Sequence, residues 1–462
     1  MNFKYIYLYI PWLISVIIPH AQTSFLVAWI GSFFIFYISM SGKIKPLPTD
    51  ISINQQILRP LFLLQTIFAG YMACSSIFYF LDSIGYTYFT YTGTYNAINK
   101  ATPQTVAACQ QYYVLGHAAL AHGILAAMKY PVKKNVEILI KSYSRFFITV
   151  GIICLPLSFL LTSLPGISQF GVQAAGLSFV ACTLALSTAI AERNKMVIFL
   201  SGIFYLLNFS KAVVSGFKEP VIISILLLGI FLFPIYGKKL AIIFIPLLII
   251  TFSILPTYVA TFREASWASG QNTEQAKEMG LKALQESQQV SENNWQFLVN
   301  RISEISMFVQ YKEHVPARHP YYGTKILEQS LVALIPRVFW PAKASTEEVV
   351  NVRVYEANVV DPTVIVSAKP APIVDAYLSG GSLTILILLF LYGYIAQLIA
   401  LKAEEIFGSF LLGAALVFTG MFGIFWRGNS FEFLINSIFW SYIGMYILYF
   451  ILLKSKILKI VS

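Results

Sequence analysis

The chain has 462 residues, of which 57% are hydrophobic and only 11% are charged. Soluble domains carry about 25% charged residues, so the composition excludes a soluble globular enzyme. The formal net charge of +11 is spread over the segments between apolar runs. That distribution is typical of topology signals in membrane proteins and argues against a nucleic-acid-binding surface.

Twelve apolar segments follow one another along the chain, each long enough to cross the ~30 Å hydrocarbon layer as a helix. We place the predicted spans at 4–20, 23–41, 60–82, 107–128, 146–163, 168–191, 196–212, 219–236, 240–256, 382–401, 408–425 and 432–452. The sequence therefore predicts an all-α polytopic membrane protein. Residues 1–256 hold nine spans, residues 257–380 form a long loop, and residues 381–462 hold three spans.

The basic residues predict the orientation, because short loops rich in Lys and Arg stay in the cytoplasm. With a cytoplasmic N-terminus, the short outside loops hold only Lys100, Lys218 and Arg427. The inside then holds sixteen basic residues: Lys43, Lys45, Arg59, Lys129, Lys133, Lys134, Lys141, Arg145, Arg193, Lys195, Lys238, Lys239, Lys402, Lys454, Lys456 and Lys459. Both termini are therefore predicted to be cytoplasmic, and the long loop extracytoplasmic.

The long loop has three segments that favour helices. Residues 273–293 are polar and helix-favouring, and residues 294–315 carry one apolar stripe at helical spacing. Pro316 and the residues after it end that helix. Residues 324–334 are predicted to form a short amphipathic helix. Trp340 lies close to Arg337 in the sequence, a pairing typical of the boundary between lipid and water.

Arginine is the most informative residue type for function. A guanidinium group is permanently charged and binds phosphate oxygens with two parallel hydrogen bonds. A group of arginines at one membrane surface suits a lipid-linked diphosphate, whereas the alternative is pairing with the thirteen acids of the loop. The arginines predicted on the outer side are Arg263, Arg301, Arg318, Arg337, Arg353 and Arg427.

A tight hairpin, Ser215-Gly216-Phe217-Lys218-Glu219, separates the seventh and eighth predicted spans. Lys211 lies one to two turns earlier, within the apolar segment. A lysine at membrane depth is costly and therefore suggests a functional role. The alternative for Lys211 is a long side chain that extends its ammonium group to the nearby surface.

Two residues could act as a general base near this surface. Asp375 stands just before the tenth span, and its alternative role is to cap a helix N-terminus. His319 lies outside beside Arg318 and could accept a proton near neutral pH.

Several residue patterns are missing from the sequence. The first outside loop, 20–23, has no acid, the outside loops have no DxD, and the four cysteines lack CxxC spacing. These observations argue against a metal-dependent transferase and a zinc site. The cytoplasmic loops lack a P-loop, so we expect no cofactor and no metal.

The architecture and two segments together resemble a known family. The Ser-Gly hairpin before a very apolar helix, the segment Leu334-Ile335-Pro336-Arg337-Val338-Phe339-Trp340-Pro341-Ala342-Lys343 and the long outside loop in the second half look like Wzy-type polymerases of bacterial surface polysaccharides. Many such proteins read Ser-Gly-Ser-Arg-Gly at the hairpin, where this chain has Phe217-Lys218-Glu219 after Ser-Gly.

This resemblance implies a metal-independent, GT-C-type glycosyltransferase in the bacterial inner membrane. It would transfer a growing glycan from undecaprenyl diphosphate onto another lipid-linked repeat unit at the periplasmic face. A flippase would supply the substrates, and a co-polymerase would set chain length. The inferred catalytic residues are Asp375, His319 and Arg337. The inferred substrate-binding residues are Arg301, Lys218, Lys211, Arg263, Arg318 and Arg427.

Three other functions remain open from the sequence. An O-antigen ligase would use the same donor with a different acceptor. A transporter or flippase also often has twelve spans, although such folds usually show two related halves, and no repeat is detectable here. A non-catalytic assembly scaffold is the third alternative.

Overall fold

The computed structural model describes residues 3–85, 102–164, 166–285, 299, 304–360 and 369–461. Within these ranges the protein is built almost entirely of helices, with one short two-stranded sheet. The helices are α1 Ile10–Ile17, α2 Ala21–Met40, α3 Pro60–Ile67, α4 Ile77–Ser83, α5 Pro103–Ala127, α6 Tyr143–Ser163, α7 Ser168–Glu192, α8 Lys195–Val214, α9 Lys218–Tyr236, α10 Ala241–Arg263, α11 Thr273–Ala283, α12 Ile305–His314, α13 Lys325–Ala333, α14 Thr346–Glu356, α15 Pro372–Gly380, α16 Ser382–Phe407 and α17 Phe431–Lys454.

Shorter helical pieces extend several of these helices. The π-helical segment Phe68–Cys74 connects α3 to α4. Two further pieces lie in the chain between α16 and α17, the π-helical segment Leu411–Phe418 and the short helix Ile424–Arg427. Strands β1 Val136–Ile138 and β2 Leu458–Ile460 pair antiparallel, with Glu137 opposite Lys459.

The described residues contain eight segments that are long and apolar enough to cross a membrane. They are Ala21–Met40, Pro60–Ser83, Tyr143–Ser163, Ser168–Glu192, Lys195–Val214, Glu219–Ser266, Ser382–Phe407 and Phe431–Lys454. The prediction of an all-α polytopic protein with transmembrane character is thereby confirmed. The longest segment turns at Gly237, where φ is +53°, and forms α9 and α10.

Helix α5 forms the centre of the bundle together with α16. A Cβ atom at Gly123 would lie 2.0 Å from the Phe390 carbonyl oxygen, and one at Gly393 would lie 2.3 Å from the Leu120 carbonyl oxygen. Glycine at both positions lets the two backbones approach closely, as is common where helices pack in membranes. Polar residues such as Gln110 lower the hydropathy of α5, although it coincides with the fourth predicted span.

The segments that connect the helices gather into two groups. At one end, which we call the Arg59 end, Arg59 bonds to Glu404 and β1 pairs with β2 after the last long helix. At the other, the hairpin end, Arg263 bonds to Gly216, and Arg427 to Glu219.

The long loop folds into helices α11 to α15 at the hairpin end. Two of its predicted segments contain helices in the described residues, α11 and α13. In the third, 294–315, residues 294–298 and 300–303 lie outside the described residues and α12 covers 305–314. Helix α14 begins with a capping box, in which Ser345 and Glu348 bond each other's backbone N–H groups. The loop also reaches along the bundle, since the Trp440 indole N–H on α17 donates to Leu334.

Candidate functional site

The hairpin between α8 and α9 binds an arginine from the end of α10. Gly216 turns the chain with φ of +70°, and the Arg263 Nε donates to its carbonyl oxygen at 2.6 Å. The guanidinium group of Arg263 lies 5.2 Å from the centre of the Phe217 ring. Lys218 begins α9 directly after Phe217. The structure therefore brings the predicted Arg263 to the predicted hairpin.

Arg427 approaches the same hairpin from the other half of the chain. Its Nε donates to Glu219 Oε1 at 2.9 Å, and the side chains of Arg427 and Glu219 are 39% and 60% exposed. Because both are accessible, a ligand can compete for either charge. The hairpin with Arg263, Arg427 and Glu219 is called the hairpin site below.

A small cavity of about 30 Å³ lies beside Arg427. Its wall is mainly apolar and includes Met72, Leu389 and Trp426, with Arg427 as its charged member. The cavity contains room for about two water molecules. The hairpin site therefore stands where a charged surface meets an apolar interior.

Asp375 is not at the hairpin site but is buried in an ion-pair cluster. The Arg353 Nε and Nη2 donate to its two carboxylate oxygens at 3.1 and 3.2 Å, and the Phe431 N–H donates to Oδ2 at 2.8 Å. Arg353 also donates to both oxygens of Glu432, at 2.6 and 2.8 Å. The side chains of Arg353, Asp375 and Glu432 are at most 2% exposed.

Burial raises the pKa of Asp375 to about 7, against the opposing effect of the Arg353 charge, and the nearby Glu432 carboxylate raises it further. A raised pKa is a property of many general bases. However, the oxygens of Asp375 are engaged by Arg353 and Phe431, so an acceptor hydroxyl can reach them only if the cluster opens.

His319 and Arg318 form a second, separate group. The His319 ring lies 4.5 Å from the Tyr322 ring and 6.1 Å from the His314 ring. Partial burial lowers the pKa of His314, as do the charges of His319 and Arg318. This group lies over the start of α16, because the Tyr322 N–H donates to the Leu378 carbonyl oxygen at 2.9 Å.

The remaining predicted cations are dispersed. Arg337 is exposed in the turn after α13, where its charge contributes to the lowered pKa of Lys343, although burial is the larger cause. Lys211 is exposed on α8 and its ammonium group lies 4.5 Å from the Phe159 ring. Arg301 lies outside the described residues. The described arginines among those predicted on the outer side are thus not gathered into one cluster.

Sequence reasoning missed the partners of the buried arginines. Arg59 donates to both Asp50 and Glu404, and Arg353 is bound by Asp375 and Glu432. The sequence contains a usable signal, because Glu404 and Glu432 stand within the ends of apolar helices, where a carboxylate is costly unless paired.

Within the described ranges, no three His, Cys, Asp or Glu residues are grouped to hold a metal ion.

Comparisons with known proteins give one match. No curated protein and no solved structure matches the chain. A family model matches nearly the whole length, from residue 10 to residue 460. The chain therefore belongs to the DUF8712 family, which is described as a domain of unknown function.

Proposed function

We propose that this protein polymerises lipid-linked oligosaccharide repeat units, as a Wzy-type membrane glycosyltransferase. The donor is a glycan on undecaprenyl diphosphate, and the acceptor is a sugar hydroxyl of a second lipid-linked repeat unit. The observation that carries the proposal is the convergence of Arg263 and Arg427 on the 215–219 hairpin, at one end of an apolar helical bundle.

The reaction is a displacement at the anomeric carbon of the donor. The bond from this carbon to the diphosphate oxygen breaks, and a bond to the acceptor oxygen forms. Negative charge develops on the departing diphosphate and is stabilised by fixed cations aimed at it. Arg263 and Arg427 supply guanidinium groups for this role, and Lys218 adds a basic residue to the same hairpin.

The acceptor hydroxyl loses its proton during the displacement. Glu219 is the accessible carboxylate at the hairpin site, and we assign it this role ahead of Asp375 and His319. A positioned base contributes about 10²–10⁴-fold to such a step. The 60% exposure of Glu219 allows contact with a substrate hydroxyl once Arg427 turns from Glu219 to the diphosphate. The buried Asp375 would have to leave Arg353 with no solvent access to either group.

The proposal includes a location and partners. All twelve apolar segments would cross the bacterial inner membrane in a GT-C-type arrangement, with both termini in the cytoplasm and the hairpin end in the periplasm. The excess of basic residues in the loops of the Arg59 end supports this orientation. A flippase and a chain-length co-polymerase would act with the protein.

Glycan extension in proteoliposomes tests the proposal. Undecaprenyl-diphosphate-linked repeat units serve as donor and acceptor for purified wild-type protein and for R263Q, R427Q and E219Q. Removing one charge-stabilising donor is expected to lower the rate about 10²–10³-fold. The matched control is Lys282→Gln, which removes an exposed cation on α11 at the same end and should leave the rate unchanged.

Two results decide the assignment. Glycan extension at the wild-type rate by R263Q and R427Q would overturn the hairpin site. Full activity of E219Q together with loss of activity in D375N would assign the general base to Asp375.

The ligase alternative is tested in a deletion strain. Lipopolysaccharide capped with single repeats indicates a polymerase, whereas loss of all capping indicates a ligase.

A further inference from the structure

An apolar groove of about 660 Å³ runs along α16, away from the hairpin site. It begins at Ser382, the first residue of α16, and reaches Leu391, about 14 Å further along the helix at the usual helical rise. Trp12 and Leu115 form the opposite wall. A groove of this volume and composition lies in the size range of small-molecule sites and favours an extended apolar chain.

The His122 side chain in the groove wall is already engaged. The His122 Nδ1 is 3.0 Å from the Tyr9 hydroxyl, and its ring stacks on Tyr5 at 4.5 Å. The His122 and Phe390 rings lie nearly perpendicular, with 5.0 Å between their centres. His122 therefore contributes a ring surface to the groove, in keeping with an apolar occupant.

The segment 314–325, called the basic segment below, contacts the residues just before Ser382, at one end of the groove. The Tyr322 N–H donates to the Leu378 carbonyl oxygen. The Tyr321 hydroxyl lies 3.1 Å from the position that a Cβ on Gly381 would occupy. The segment is thus fixed directly above the first turn of α16.

The basic segment presents accessible cations at this end. Arg318 and Lys325 are exposed, and the Lys325 ammonium group lies 5.6 Å from the Tyr322 ring. Two nearby acids are engaged by hydroxyl groups, since Tyr322 donates to Glu356 and Thr324 donates to Glu328, both at 2.7 Å. Among the residues that the structure describes, no carboxylate oxygen lies within 4.0 Å of a charged nitrogen of Arg318 or Lys325.

We propose that the groove along α16 binds an acyl chain of an anionic phospholipid, whose phosphate is bound by Arg318 and Lys325. The chain gains van der Waals contacts with the apolar wall, which is the attraction that remains between apolar groups inside a membrane. The phosphate gains charge-assisted hydrogen bonds from the guanidinium and ammonium groups. The charge at the top and the apolar surface below match the two parts of such a lipid.

Native mass spectrometry of the full-length protein tests this site. The detergent-purified protein is exposed to equimolar phosphatidylglycerol and phosphatidylcholine, and bound lipids are counted. The wild type should retain phosphatidylglycerol preferentially. The double variant R318Q/K325Q should reduce that preference about 25-fold, at about fivefold for each surface charge removed. The control Lys195→Gln changes an exposed cation at the other end of the bundle and should keep the preference.

A groove variant separates the two halves of the site. Leu386→Trp places a larger side chain in the groove and should lower retention of both lipids, and R318Q/K325Q keeps the proposal testable if L386W does not fold. An unchanged preference in R318Q/K325Q would overturn the proposal. Preferential retention of a polyprenyl phosphate added at the same concentration would also overturn it. Because the assay contains no glycan, its outcome is independent of the proposed activity.

Discussion

The two ends of the bundle each contain a buried arginine bound by two carboxylates, but the two clusters differ in exposure. Asp50 in the Arg59 cluster is 20% exposed, whereas all three members of the Arg353 cluster are buried. The pKa of Asp50 is lowered, chiefly by its hydrogen bonds from Arg59, while that of Asp375 is raised to about 7, chiefly by burial.

Residue composition alone therefore does not determine the protonation of such a cluster. Each cluster has one positive and two negative groups. Water can solvate Asp50 at the Arg59 end, so this carboxylate keeps its charge beside the arginine. At the Arg353 cluster no carboxylate is accessible, so the second negative charge is costly.

Removing the arginine should give the largest difference in stability between the two clusters. Arg353→Met leaves two buried carboxylates without a counter-charge and should destabilise the protein by about 3–5 kcal/mol. Arg59→Met should cost less, because Asp50 can be hydrated. Thermal unfolding in one detergent measures both. An equal loss in the two variants would contradict the role that we assign to exposure.

The pH dependence of stability that Asp375 causes should be opposite in sign to the one that Asp50 causes. Because the pKa of Asp375 is raised from 3.8 to about 7 on folding, its contribution to stability is fully present below pH 3.8 and is lost as pH rises towards 7. Because the pKa of Asp50 is lowered, its contribution is present above pH 3.8 and is lost at more acid pH.

The variants D375N and D50N separate these two effects. D375N should flatten the decline in the unfolding midpoint between pH 4 and pH 7, and D50N should weaken the loss of stability below pH 4. Unfolding midpoints measured across this range provide the test. A decline that persists unchanged in D375N would show that another group causes it.

The aromatic ring beside Arg59 should make the smallest contribution to the stability of the protein. The Tyr130 ring centre lies 3.5 Å from the Arg59 Cζ, and its hydroxyl accepts a hydrogen bond from Gln397. Tyr130→Leu should cost about 0.5–2 kcal/mol, because the cation–π contact is lost. Tyr130→Phe keeps the ring and should cost less in the same unfolding measurement. If both variants lose equal stability, the hydroxyl rather than the ring is responsible.

Helix positions in this protein could be predicted well from sequence. The predicted span 168–191 corresponds to α7 at Ser168–Glu192, and the predicted span 382–401 begins at the first residue of α16. Long apolar runs define such helices because backbone groups in lipid must bond within the helix. Helices α14 and α15 in the long loop were not predicted, since short helices there depend on capping and on packing against the bundle.

The candidate site could be predicted only in part. The hairpin and Arg263 were identified, and the structure joins them. Arg337 and Lys211 were identified with the same reasoning, yet they lie apart from the hairpin. Residue type indicates which side chains can bind a phosphate, but it does not indicate which of them meet.

The composition and the apolar runs were enough to predict an all-helical protein with membrane-spanning segments, because hydropathy and helix length are local properties of the chain. Which charges pair depends on how the helices pack. Arg59 and Glu404 are 345 residues apart in sequence, and Arg353 meets Asp375 and Glu432 only through helix packing. The energy of a charge depends on its neighbours and its exposure in three dimensions, and neither quantity is written in the order of the residues.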